Sequence, residues 1–285
     1  MATYDNLGKV GKHITAFGLS RSGNHCIFNW IINNYVKNGM GPVWYLNGCR
    51  SGYGDIYSKE CIVYDGLGTK KLSRRGVSAE VKSSSDKPIL FTSFENLPHI
   101  MDFENKTSYF NYNLSNSTIK DEFTIHILRD PFNLLATYMK HPPRLGQPKK
   151  WQESIDLWKY HAKQVLGYKK YLIEPITTIL YNKWKKDKSY RKSIVSSFGI
   201  KNYCDSVDFV PSYGAGSSFD GFDFQGKGSQ MKTLERWKTC RENEWYIDQI
   251  RQDEVLDLSA EIFPELTQKI RRHISKFDKH KTFNC

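Results

Sequence analysis

No apolar run in the 285-residue sequence approaches the roughly 18–20 residues that span a bilayer. Met1 to Lys12 is polar and carries no apolar stretch of the secretory-signal kind. A cytoplasmic protein with no membrane partner is therefore expected. None of the six cysteines (Cys26, Cys49, Cys61, Cys204, Cys240, Cys285) stands in a C-x-x-C pair. That argues against a zinc site and against a disulfide framework, and no metal is expected. Internal repeats and low-complexity tracts are also lacking. Three Asn-x-Ser/Thr triplets, at Asn105, Asn113 and Asn116, crowd one stretch. Without an export signal they read as coincidence in a polar loop rather than glycosylation sites.

Against these absences, 39% of the residues are apolar and 14% aromatic, enough to bury a sizeable core and to exclude a disordered polyelectrolyte. Lys and Arg outnumber Asp and Glu by 42 to 30, a net charge of +12. Such a surplus points to an anionic partner without choosing its class. Much of it lies in short pairs such as Lys70-Lys71 and Arg271-Arg272, which read as solvated surface.

His13 to Gly18 reads as a short buried strand, Leu19 to Asn24 as a tight polar loop, and the residues from His25 as a helix with a broad apolar face. Residues 41–87 are rich in Gly, Ser and Lys and read as a variable excursion holding brief strand-like pieces such as Cys61 to Tyr64. Further strands are expected at Pro88 to Phe94, Phe123 to Leu128 and Ile176 to Tyr181. Helices are expected at Phe132 to Lys140, Glu153 to Tyr171 and Lys188 to Phe198. Residues 203–233 read as loop, and 235–285 as a helical tail interrupted near Pro264. Alternating strands and helices predict an α/β fold over residues 1–285: one domain, with a central parallel sheet flanked by helices.

The strongest local signal is Gly18-Leu-Ser-Arg-Ser-Gly-Asn-His25, a compact loop between strand and helix. Such a loop turns backbone N–H groups toward an anion, and the helix N-terminus adds a favourable dipole. Arg21 could clamp two oxyanions, while Ser22, Asn24 and His25 could donate hydrogen bonds. The G-x-x-x-x-G-K-[ST] pattern is absent, so the hydroxyl that would hold magnesium has no counterpart. Phosphate recognition without a metal is the favoured reading.

With this loop the chain resembles the sulfotransferase family that uses 3′-phosphoadenosine 5′-phosphosulfate (PAPS), a P-loop-like architecture whose first loop reads P-[KR]-S-G-[TN]. Here Ser20-Arg21-Ser22-Gly23-Asn24-His25 fills it, with Ser20 in place of the usual proline. A second family feature, a strand ending in Arg, then Asp or Asn and Pro, with a hydroxyl residue eight positions after the Arg, is matched by Arg129-Asp130-Pro131 and Thr137. Ile179-Leu180-Tyr181 is similar to the family's strand bearing a tyrosine near the adenine. Gln225-Gly226-Lys227-Gly228, followed by Arg236-Trp237-Lys238, is similar to the R-K-G and W-K stretches. Gly226 replaces the family's arginine.

The resemblance implies sulfuryl transfer by in-line displacement to a hydroxyl or amine, with 3′,5′-adenosine bisphosphate (PAP) as product. It implies that Arg21, Ser22, Gly23, Asn24 and His25 hold the phosphosulfate, that Arg129, Thr137, Lys227 and Gly228 hold the 3′-phosphate, and that Tyr181 contacts the adenine. Arg21 and His25 would also stabilise charge in the transfer, and Glu95 is the expected general base, with His99 as the alternative. The multiply charged donor accounts for part of the +12 without a nucleic-acid partner. The acceptor stays open among carbohydrate, small metabolite and peptide hydroxyl. Two other readings compete: a P-loop-like phosphotransferase acting on a nucleotide or a nucleic-acid end, and a catalytically silent nucleotide-binding module.

Overall fold

The computed structural model describes residues 11–47, 50–51, 56–57, 60–65, 68–72, 89–96, 121–140, 149–170, 172, 175–210, 217 and 219–283. His99 and the triplets at Asn105, Asn113 and Asn116 lie outside them.

The first unit follows the expected order. Strand β1 (Lys12–Gly18) runs into a five-residue loop and then helix α1 (Asn24–Lys37). Ile14 and Ala16 on β1 pack with Ile27, Phe28, Ile31 and Ile32 of α1. Next come β2 (Val43–Asn47), the short β3 (Arg50–Ser51) and β4 (Ile56–Tyr57), β5 (Glu60–Tyr64), β6 (Thr69–Leu72) and β7 (Ile89–Glu95). Strand β8 (Asp121–Leu128) leads into α2 (Pro131–Lys140) and α3 (Lys149–Val165). Strand β9 (Ile176–Leu180) is followed by α4 (Tyr181–Lys186) and α5 (Lys188–Ser197). The C-terminal part carries α6 (Glu244–Ile250), α7 (Asp253–Ile262) and α8 (Pro264–Phe283).

One seven-stranded sheet has the order β6-β5-β2-β7-β1-β8-β9. Strands β2, β7, β1, β8 and β9 are parallel, while β5 and β6 continue the sheet antiparallel, each to its neighbour. The expected α/β class with helices on both faces is observed. One core cluster joins β1, β2, β7, β8 and β9 to α1, α4 and α5; a second joins α2, α3, α6, α7 and α8 to the end of β8.

Two boundaries correct the sequence reading. The excursion at 41–87 holds an interior strand: β2 lies between β5 and β7 with all five residues buried. Its Val-Trp-Tyr-Leu run, closed by Asn47, is short, continuous and apolar, the signature of a strand covered on both faces. The sheet is mostly parallel, as expected, with β5 running against β2 and β6 pairing antiparallel with β5 at the edge. Finally, α3 stops at Val165, before the expected Tyr171. Gly167 takes φ 74°, Tyr168 N donates to Lys163 O (2.9 Å) and Gly167 N to Gln164 O (3.2 Å). That pair of bonds ends a helix on a left-handed residue, a geometry glycine adopts without steric cost.

No helix among the described residues is long and apolar enough to cross a membrane.

Candidate active site

Five parallel strands bring their carboxyl ends to one edge of the sheet. Gly18 pairs in register with Glu95 on one side and Ile127 on the other, so the loop after β1 emerges between the ends of β7 and β8. Crevices outside the carboxyl ends of such strands are where open α/β sheets bind ligands. Asn47, Glu95, Arg129 and Tyr181 all occupy that edge, at or just beyond strand ends.

The loop is compact and fixed from three directions. Ser22 N donates to Leu19 O (3.1 Å), and Arg21 and Gly23 both take left-handed φ, 71° and 85°. A side chain at Gly23 is excluded, since its Cβ would lie 2.2 Å from the Tyr181 ring. No side chain caps α1 and its first turn holds no acidic residue, so the partial positive charge of the helix N-terminus is uncompensated there. Ser20, standing where the resemblance expects proline, is held by hydrogen bonds instead. Its N–H donates to Asn96 Oδ1 (2.8 Å), and Asn96 Nδ2 donates to its Oγ (2.8 Å). The Tyr138 hydroxyl donates to Ser20 O (2.9 Å) and lies 2.7 Å from Ser20 Oγ. Burial pushes the Tyr138 phenol up in pKa, offset in part by Ser20 and by the positive charge of Arg21.

Asn24 ties the loop to β7. Its Nδ2 donates to Leu19 O (2.9 Å) and to Glu95 Oε1 (3.0 Å). His25 Nε2 lies 3.8 Å from the same carboxylate oxygen and 3.2 Å from Asn47 Oδ1. Glu95, Asn24 and His25 therefore form one cluster. The Nε2 of His25 is thus turned toward Asn47 and Glu95.

The second motif meets the first directly. Arg129 Nη1 donates to Arg21 O (3.0 Å), its Nη2 donates to Thr233 O, and its guanidinium carbon stands 4.9 Å from the Tyr181 ring centroid. Arg129 is 1% exposed, yet no carboxylate pairs with it among the described residues. Asp130, next to it, is spent on the frame: it accepts from Asn133 and Asn182. A second buried guanidinium, Arg236 (6% exposed), donates to Thr137 Oγ1 (3.2 Å) and pairs with Asp220 (2.5 Å). Burial draws the pKa of Arg236 down, and the nearby charge of Arg129 adds to that. Lys185 Nζ donates to Gly228 O (2.6 Å), and its pKa is lowered first by burial and further by Arg191 and Arg236.

Each predicted residue can now be placed. Arg21, Ser22, Gly23, Asn24, His25, Glu95, Arg129 and Tyr181 come together at the sheet edge. Thr137 is fully buried and its hydroxyl donates to Asn133 O (2.7 Å) while accepting from Arg236, so it orients that arginine. Tyr181 is buried, its ring held between Gly23 and Arg129. Gly228 packs against backbone, where a Cβ would lie 2.8 Å from Val207 O, and its carbonyl anchors Lys185. Lys227 is exposed; its backbone N–H donates to Phe224 O (2.8 Å), while its side chain makes no hydrogen bond or ion pair among the described residues. Arg236, Lys185, Asn96 and Asn47 were missed as site residues. Lys185 looks like an ordinary member of a basic pair in the sequence, and Arg236 stands out only as the neighbour of the W-K stretch; burial distinguishes both.

The site suits a phosphorylated ligand on its own evidence. Ser22 Oγ, Arg129 Nε and Arg236 Nε are buried polar atoms without a partner among the described residues. Of the two buried guanidiniums only Arg236 has a carboxylate partner among the described residues, and a buried charge without a counter-charge is costly unless an anion completes it.

No protein-family model matches the chain, and no curated protein matches it. Among solved structures, the chain is similar to the sulfotransferase domain from the curacin biosynthetic pathway, at 12% identity and TM-score 0.49, over 89% of this chain and 98% of that one. It is also similar to mouse sulfotransferase SULT7A1, a structure complexed with PAP, at 13% identity and TM-score 0.41, over 96% of this chain and 95% of that one. At these scores the likenesses carry no weight for the activity of this chain.

Proposed function

We propose that the chain is a sulfotransferase moving a sulfuryl group from PAPS to a hydroxyl or amine acceptor. The observation that carries the proposal is the buried, carboxylate-free Arg129 beside the buried Arg236, hydrogen-bonded to the loop whose helix opens the same cleft. A ligand with phosphate at both ends of one adenosine answers both features: one phosphate at the arginines, the other at the loop and the α1 N-terminus.

In this reading Arg129 and Arg236 hold the 3′-phosphate, with Thr137 fixing Arg236 and Tyr181 walling the pocket. Lys227, from the family resemblance, would add a rim charge. Bound PAPS supplies a sulfur atom already joined to a good leaving group. Arg21 and the loop N–H groups, that of the Asn24 backbone included, orient the phosphosulfate and oppose the charge that develops as the bond breaks. Glu95 takes the acceptor's proton, its carboxylate oriented by Asn24. Walker-type magnesium chemistry has no residue to use here, since Asn24 and His25 follow Gly23 where Lys and Ser or Thr would stand.

Thermal unfolding with PAP, 5′-AMP and ATP–magnesium tests the reading, because a ligand that binds the native state raises its stability by mass action. PAP should stabilise the protein most, and sulfuryl transfer from PAPS to a hydroxyl library should follow. Stabilisation by ATP–magnesium with none by PAP would overturn the proposal in favour of a phosphotransferase.

A further inference from the structure

We infer that Asn47 is a positioning residue that fixes the tautomer and direction of His25 beside the base. The inference rests on the proposed role of Glu95. Asn47 ends β2, the interior strand, and is 7% exposed. Its Oδ1 accepts from the Tyr45 hydroxyl (3.0 Å) and faces His25 Nε2 at 3.2 Å. A carbonyl oxygen has no proton to give, so the imidazole must donate: His25 carries its proton on Nε2. Tyr45 is itself anchored: its proton goes to Asn47, so its hydroxyl accepts from Ser93 Oγ on β7, 3.2 Å away. The Asn47 amide is thus oriented by Tyr45 of its own strand, which β7 holds in turn.

The consequence concerns Glu95. With its N–H drawn to Asn47, His25 stands 3.8 Å from Glu95 Oε1 rather than in a close ion pair. That oxygen already accepts from Asn24. Without Asn47 the ring loses the acceptor that selects Nε2–H and holds its direction; a proton on either nitrogen could then be turned to the carboxylate, and a second strong donor would weaken Glu95 as a base. Asn47 touches no reacting atom and acts through His25.

Nitrogen-15 NMR of the His25 ring reads the tautomer in the folded protein, with no transfer reaction required. The wild type should show Nε2–H. Asn47→Leu, close in volume but without an acceptor, should lose that preference, and Asn47→Asp, which keeps an acceptor oxygen, should restore it. In the transfer assay Asn47→Leu should lower kcat by roughly 10- to 100-fold, less than the full contribution of a general base. Its KM for PAPS and its stabilisation by PAP should stay unchanged. An Nδ1–H tautomer in the wild type, an unchanged kcat in Asn47→Leu, or a parallel loss of PAP stabilisation would each overturn the inference. If the wild type transfers no sulfuryl group but shows Nε2–H that Asn47→Leu abolishes, the functional reading fails while the positioning of His25 stands.

Discussion

Replacing Arg129 by methionine removes a buried charge at nearly constant volume, and the structure sets opposing terms for the unliganded protein. The guanidinium gives up two hydrogen bonds to backbone carbonyls, of Arg21 and Thr233, each about 1.5–3 kcal/mol as charge-assisted bonds. Against that stands the desolvation of a cation that is 1% exposed and has no carboxylate partner, several kcal/mol even after relaxation. The two nearly cancel, so unliganded Arg129→Met should differ from wild type by no more than about 2 kcal/mol. Ligand linkage should change far more. At a PAP concentration 100 times its Kd, the wild type gains about 2.7 kcal/mol. Loss of the 3′-phosphate contacts at about 2.7 kcal/mol raises Kd roughly 100-fold, and the same concentration then stabilises the variant by only about 0.4 kcal/mol. Stabilisation by 5′-AMP, which lacks the 3′-phosphate, should fall much less. Denaturant unfolding with each ligand measures all of these. A variant that unfolds several kcal/mol more easily yet keeps the full PAP increment would make Arg129 a structural residue and refute the reasoning.

Glu95→Gln keeps an acceptor for Asn24 but cannot take a proton, so turnover should fall about 10²- to 10⁴-fold with PAP affinity intact; wild-type turnover would remove Glu95 as the base. Arg236→Gln should weaken PAP roughly tenfold more than 5′-AMP in calorimetric titration, because Thr137 is left with no charge to orient; equal weakening would place Arg236 outside the 3′-phosphate site. Acid should destabilise the fold through its buried histidines. Burial holds His13 down to about 3 and His161 to about 4, and His126, stacked on His161 with nitrogens 2.7 Å apart, is lowered by burial and by its partner. A depressed pKa means fewer protons bound when folded, so the stability is present above the unfolded value of 6.5 and is lost as pH falls toward 3–4. His13 alone costs about 1.4 kcal/mol at pH 5.5, with the His126–His161 pair acting in the same direction. Denaturant midpoints at pH 7.5 and 5.5 check this, and equal midpoints would contradict it.

How much could be read beforehand depended on how local each signal was. The strand, loop and helix around Gly18–His25 were legible because turn glycines and an apolar helix face lie next to one another in the chain. Arg129-Asp130-Pro131 was legible as a strand end for the same reason. Strand β2 was not, because four apolar residues inside a Gly- and Ser-rich stretch do not show which neighbours will pair with them. Arg236 was hidden differently. Its importance comes from burial against Thr137, 99 positions earlier, and no local pattern reports that.

Ser20 shows how a departure from a family pattern is to be weighed. Proline fixes φ and removes a donor, so it stiffens a loop without help from elsewhere. Serine does neither, and taken alone it argues for a looser loop and a weaker case for anion binding. In the fold, the N–H that proline would lack is the one Asn96 accepts, and Tyr138 binds the carbonyl of the same residue. Asn96 adopts a left-handed φ of 53° to reach it, which asparagine tolerates better than most residues. The constraint has moved from a ring within the loop to side chains just beyond β7 and on α2. It follows that proline would not restore the loop here, since Ser20→Pro would strand Asn96 Oδ1 and remove a hydroxyl bonded to Asn96.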